Sequence, residues 1–393
     1  MNSHNFTIQL RSANGEKLCL SASDASAINQ IDNDVIFTGF VEGISVVATA
    51  TPISSMETEW SITIDNPSDY AIEWVDYPCI KCGKLMRNGG NAKILSSYNE
   101  GIIIEDAFAR DTSSPFPQKQ VEYPSEGAYY MFPHMLSAQF IAHLAPTGCL
   151  YLGAHDPARG PKSIDYRATE EGVELFVKTF TGVSYGENYS LTYPIITKSF
   201  EGDWEDAATI YRDWFESNLP AGAVKIPLNS RLPKWYADSP LIIAYPVRGI
   251  HDMDEMTPNA LFPYMQAMPV VEQIARETQT RVMVLLMHWE GTAPWAPPYV
   301  WPPYGGEASF REFLDALHKK GHLLGVYCSG FGWTEQSNLI AEYARSAEKE
   351  GVLDAMCAGP DGKVLLSKIC TFQRSGYDIC PASEKGRKIL REA

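Results

Sequence analysis

Glu290 is the best-placed carboxylate of the chain, directly after the apolar run Val282 to Met287 and beside His288 and Trp289. There it reads as an acceptor for a ligand hydroxyl or as an acid/base group. The plainer reading is a loop glutamate paired to an arginine. Trp289, following the strand at once, is expected at the rim where a ring can stack on it, and downstream Trp295, Tyr299, Trp301 and Tyr304 are interleaved with prolines. A proline-stiffened aromatic loop suits stacking on the C–H face of a pyranose while an indole N–H hydrogen-bonds, and it equally suits packing between domains. Tyr245 and Arg248 close another apolar run, where Arg248 and Asp252 would hold a hydroxyl or form a structural ion pair. Ser329 and Trp333 follow a third run, His322 to Tyr327. Ser329 lies in Cys328-Ser329-Gly330, without the Gly-x-Ser-x-Gly that a hydrolase elbow requires. Farther upstream, His155 and Asp156 end the run Leu150 to Ala154, either as an Asx-type turn or as a loop that touches substrate. The sequence carries no evident triad, phosphate loop or metal cluster, and the expected cofactor is none.

These candidates need elements to hold them. Leu241 to Tyr245, Arg281 to Met287 and His322 to Tyr327 are near-continuous apolar runs, the pattern of strands covered on both faces. Helical patterns lie between them, Leu261 to Thr278 and Ser309 to Gly321. Strand, helix and strand in alternation predict a parallel α/β fold. Polar residues gathered after each strand, without a glycine-rich dinucleotide turn, favour a (β/α)8 TIM barrel over a Rossmann sheet. From Phe6 to about Phe200 the signals are short alternating strands separated by turn residues, which predicts an antiparallel β-sandwich. Trp204, Ala207, Ala208, Tyr211, Trp214 and Phe215 recur at helical spacing, so this aromatic stripe reads as a core face. The expected division is a sandwich over 1–200, a helix and linker over 201–236, and part of a barrel over 237–393. After Trp333 the pattern predicts a helix from Asn338 to Glu350, a small hairpin, and a helix from Glu384 onward with Ser383 as its cap.

Composition narrows the partners. With 32 basic and 48 acidic residues the formal charge is −16, and no cluster of Lys and Arg fits a phosphate backbone, so nucleic acid is not expected. No apolar run reaches membrane-spanning length, and the first residues lack the basic and apolar regions of a signal peptide, so neither a membrane nor export is expected and the location reads as cytoplasmic. Eight cysteines are scattered along the chain, and Cys79-Ile80-Lys81-Cys82 alone has ligand-like spacing. One such pair without further ligands reads as two reduced thiols near a turn.

The order of these parts is familiar. The segment Gly202 to Trp214, then Leu317 to Tyr327, then Tyr377-Asp378-Ile379-Cys380-Pro381, resembles glycoside hydrolases of the α-galactosidase and endo-α-N-acetylgalactosaminidase kind. More closely, the chain resembles an uncharacterised bacterial family grouped with sugar-processing enzymes. The resemblance implies a retaining glycoside hydrolase acting on an α-linked sugar, with a carbohydrate as partner. In such families the nucleophilic carboxylate follows the fourth barrel strand and the acid the sixth, and this chain ends before either. It is therefore expected to be the N-terminal part of the enzyme, inactive by itself. The alternative is a noncatalytic carbohydrate-binding protein; a weaker third reading is an epimerase or mutarotase using His155 and His134.

Overall fold

The computed structural model describes residues 4–83, 92–105, 107, 131–133, 135–169, 172–238, 241–249, 256–291, 300–328, 332–335, 345–359, 362–369 and 374–392. The chain forms two compact units, Met1–Ala223 and Val224–Ala393.

The first unit is built on two antiparallel sheets. One has six strands, in the order Met131–Phe132, Lys162–Thr169, Gly172–Phe180, Ala71–Cys82, Thr7–Arg11 and Lys17–Ser21. The other has ten and runs from Ala27–Ile31 at one edge, through Ser45–Pro52, Glu57–Asp65 and Cys149–Ala154, to Ile102–Ile104. Alternation does the sorting: along Ser45–Pro52 the buried residues are Val46 and Ala48, and their neighbours are only half-buried. Ile8, Leu10, Leu175 and Val177 of the smaller sheet share one core with Val46, Ile62, Ile64 and Leu152 of the larger.

A helix, Trp204–Ser217, closes a second, smaller core of this unit. The Asp203 carboxylate accepts the Glu205 N–H at 2.8 Å, and Asp206 accepts the Asp203 N–H at 3.0 Å, so the first turn's free donors are met from both sides. The helix buries Ala207 and Tyr211, and the Tyr211 ring stacks on Phe140 at 5.2 Å. Trp204 begins the same stripe but is 46% exposed.

In the second unit Leu241–Pro246, Val282–Met287 and Leu323–Val326 pair in parallel in that order. Two helices, Met268–Glu277 and Glu307–Lys319, cover one face: Val271, Phe313 and Leu317 pack against Val282, Val284 and Leu286. The opposite face is less covered. Ile242 is 47% exposed, and Met283, Leu285 and Leu323, which share its side, are half-buried. The expectation of strands covered on both faces is therefore corrected, because the middle strand alternates buried and half-buried along its whole length. Nor do the described residues form a closed barrel: beyond the three parallel strands there is a separate antiparallel sheet of Gly332–Thr334, Arg374–Asp378 and Leu366–Ile369. The fold is mostly antiparallel, with few helices. Of the helix expected from Asn338 to Glu350, residues 338–344 lie outside the described residues, and Arg345 to Glu350 has no helical hydrogen-bond run. The final helix is Glu384–Glu392, where Ser383 accepts the Gly386 N–H at 3.3 Å. No helix among the described residues is long and apolar enough to cross a membrane.

Candidate functional site

Pairing continues past the ends of the parallel strands: Val247 N–H donates to Met287 O at 2.8 Å and Tyr327 N–H to Leu286 O at 2.9 Å. The chain then turns at His288, whose φ of 53° lies in the left-handed region that histidine tolerates better than a β-branched residue. This turn breaks the in-and-out alternation of the strand. Trp289 is consequently folded back into the core at 4% exposure, against Phe310 at 6.0 Å, and its Nε1 donates to Tyr327 O at 2.8 Å. A tryptophan directly after an apolar strand is expected at the rim, free to stack on a ring. In the structure its ring is walled in and its N–H is taken by a protein carbonyl.

Arg248, 6% exposed, ties the first two strand ends together. Its Nη2 donates to Glu290 O and its Nε to His288 O at 3.4 Å, while the guanidinium lies 4.2 Å from the centre of the Tyr304 ring. His288 answers with Nδ1 placed 2.6 Å from Arg248 O; a carbonyl only accepts, so Nδ1 carries the hydrogen. Burial pushes the Arg248 pKa down, opposed by Tyr304, Glu290 and Tyr264 around it. Glu290 is 1% exposed and forms a backbone bridge with Pro303. Arg248, His288 and Glu290 thus come together as the sequence suggested, but as a buried knot whose named hydrogen bonds run to main-chain carbonyls.

Two other predicted contacts sit in cores. Tyr245 is 5% exposed and its hydroxyl donates to Leu261 O at 2.8 Å. Trp333 packs with Ala347, Met356 and Ile379. Among the described residues, the aromatic surface that reaches solvent here is Trp301, 46% exposed, and Tyr327, 50% exposed. In the sequence Tyr327 marks only the end of the apolar run His322 to Tyr327, with no local signal for an exposed ring. Trp295, Tyr299, Asp252, Ser329 and His134 lie outside the described residues.

His155 and Asp156 belong to the first unit. Asp156, 4% exposed, accepts the Ala158 N–H at 2.9 Å and the Gly160 N–H at 2.8 Å, the geometry of an Asx turn, and the Lys162 ammonium at 2.9 Å. Lys162 is fully buried and also donates to Gln139 Oε1 at 2.8 Å. Burial pushes its pKa down, and Asp156 opposes that shift. His155 stacks on Trp214 at 4.7 Å with its Nε2 3.0 Å from the Tyr151 hydroxyl. Burial, then Lys198, lowers its pKa to about 4, so it is neutral at neutral pH. Both residues are held by the protein itself, as the turn reading of Asp156 requires.

The Cys79-x-x-Cys82 spacing falls on one strand, where an offset of three puts the two side chains on opposite faces. Cys82 enters the shared core of the two sheets, whereas Cys79 has Arg167 Nη2 at 3.5 Å on the other side. Burial raises both thiols, that of Cys82 to about 12. The pair cannot chelate one ion. Among the described residues no group of three or more His, Cys, Asp or Glu is placed to hold a metal.

A family model described as "Domain of unknown function (DUF6259)" matches residues 189–393. No curated protein sequence matches the chain. Among solved structures, the fold is similar to that of the α-N-acetylgalactosaminidase NagBb from Bifidobacterium bifidum in its GalNAc complex, at 12% identity and a TM-score of 0.63, over 96% of this chain and 60% of that one. The Gal-NHAc-DNJ complex of the same enzyme gives 13% identity and 0.63, over 98% and 60%. The ligand-free form gives 12% and 0.60, over 94% and 60%. The chain thus spans 60% of the length of these relatives.

Proposed function

The chain belongs to the DUF6259 family, and we propose that it is the N-terminal portion of a retaining glycoside hydrolase acting on an α-linked sugar. The observation that carries this reading is a fold shared, over nearly the whole chain, with an enzyme named for removing α-linked N-acetylgalactosamine. In this reading the two antiparallel sheets are a sandwich, and the three parallel strands are the opening part of a (β/α)8 barrel. The half-covered apolar face of Ile242, Met283, Leu285 and Leu323 supports it, since inward-facing strand residues of a barrel are branched and apolar and pack on one another once the ring is closed. The boundaries 1–200, 201–236 and 237–393 stay as the proposed division.

Retaining hydrolysis takes two carboxyl groups about 5 Å apart, one attacking and one protonating the leaving oxygen. We assign those groups to later strands of the full enzyme. Arg248, His288 and Glu290 then act as positioning residues that fix the ends of the first two strands. Trp301 and Tyr327, with exposed rings at the same end, supply the stacking surface for a pyranose. The carbohydrate is the proposed partner, and the proposed location remains the cytoplasm.

The test is an assay of two proteins, this chain and the product of its continuing reading frame, on aryl α- and β-glycosides including the N-acetylgalactosaminides. The longer protein is expected to release the aryl group from an α-glycoside with a product of retained configuration by NMR, and this chain from none. Turnover by the 393-residue chain that is lost in Glu290→Gln would transfer catalysis to Glu290. Binding of sugar by both proteins with turnover by neither would favour a noncatalytic carbohydrate-binding protein, a reading that the exposed Trp301 and Tyr327 also serve.

A further inference from the structure

Met356 and Ile379 meet in an antiparallel bridge, flanked by hydrogen bonds from Cys357 N–H to Asp378 O and from Cys380 N–H to Ala355 O, each 2.8 Å. Both bridge residues point into the small core that holds Trp333, at 4% and 1% exposure. Side chains alternate along extended chain, and directly opposed residues share a face. Cys357 therefore points away from that core, on the side taken by Asp378 opposite it and by Cys380 two residues farther on. The two thiols stand as diagonal neighbours on that face. Neither is fully buried, so a small reagent can reach them.

We propose that Cys357 and Cys380 are a redox-active pair that closes to a disulfide by exchange with a low-molecular-weight disulfide. In the first step the Cys380 thiolate attacks one sulfur of the reagent, whose S–S bond breaks; a mixed disulfide forms and one small thiolate leaves and takes up a proton. In the second, Cys357 loses its proton and attacks the Cys380 sulfur, expelling the other small thiolate. The protein gives up two electrons and two protons, and the reagent is reduced to two thiols. Cys357 reacts second because its thiol is held up at about 11, chiefly by burial. The attacking species in each step is a thiolate, so closure quickens as the pH rises. The bond would join the turn after Leu353–Ala355 to the approach of the last helix, enclosing the hairpin of Leu366–Ile369 and Arg374–Asp378. The spaced pair Cys79 and Cys82, by contrast, is kept apart by its strand.

The experiment incubates the reduced chain with oxidised glutathione at pH 8, followed by nonreducing peptide mapping by mass spectrometry. The expected product is a peptide pair linked through Cys357 and Cys380, lighter by two hydrogens and carrying no glutathione, while Cys380→Ser yields no linked pair. Stable glutathione adducts on the two cysteines separately would overturn the proposal. So would an unmodified pair in a chain whose exposed Cys328 is fully glutathionylated. The wild-type map alone decides between these outcomes, so the proposal does not depend on how well the variant folds.

Discussion

The two units bury charge in different ways. In the first, Asp156 and Lys162 meet side chain to side chain, and the carboxylate gains two backbone N–H donors while the ammonium gains Gln139. In the second, the Arg248 guanidinium is spent on the main-chain carbonyls of His288 and Glu290, against the face of Tyr304. A mutual pair stakes both of its charges on the contact, so losing one partner strands the other. A charge held by carbonyls leaves main-chain acceptors when it is removed, and in this case also the nearby Glu290. The first arrangement closes a turn, and the second fastens strand ends where ligands of parallel folds bind.

The largest effect should separate these two arrangements. Asp156→Asn leaves a buried ammonium without its counter-charge and is expected to cost about 3–5 kcal/mol in urea unfolding of the chain. Arg248→Met removes hydrogen bonds to two carbonyls and the electrostatic contact with Glu290, and is expected to cost about 1.5–3 kcal/mol. Asp156→Asn with Lys162→Met should recover part of the loss. Equal costs for the two single variants, with no recovery in the double one, would erase the distinction.

Next in size is a pH effect confined to the first unit. His155 has a folded pKa of about 4 against an ordinary 6.5, so between those values the unfolded chain binds its proton first. The stability it contributes is complete above pH 6.5 and is lost as the pH falls toward 4, by up to about 3 kcal/mol. His155→Gln should lose less stability than the parent between pH 7 and pH 4.5 when thermal melts are compared. Parallel decline in both proteins would place the acid sensitivity elsewhere.

The smallest effect on stability belongs to the exposed aromatics. Trp301→Ala and Tyr327→Ala should each shift unfolding by no more than about 0.5 kcal/mol. If they form the stacking surface, each should weaken binding of the cognate sugar about tenfold by calorimetry, the loss of roughly 1.4 kcal/mol. Unchanged affinity in both would move the recognition surface away from these strand ends.

The three parallel strands, their helices and the final helix were legible because each is a local pattern: an apolar run, a 3.6-residue period, a cap. The grouping of Arg248, His288 and Glu290 was legible for the same reason, since ends of neighbouring parallel strands must lie together. What could not be read was which way side chains point past the strand. Parity holds only while the backbone stays extended, and the left-handed turn at His288 resets it, which is why Trp289 is buried. The half-covered face was hidden as well. An apolar run records what a strand can bury, while the helices Met268–Glu277 and Glu307–Lys319 decide which side is covered.

That uneven covering has a calorimetric signature. Heat capacity rises on unfolding in proportion to the apolar surface newly hydrated. On the side of the parallel sheet that carries Ile242, water already touches part of that surface before the chain melts. Residue for residue, the second unit should therefore show a smaller heat-capacity increment than the first and a flatter dependence of its stability on temperature.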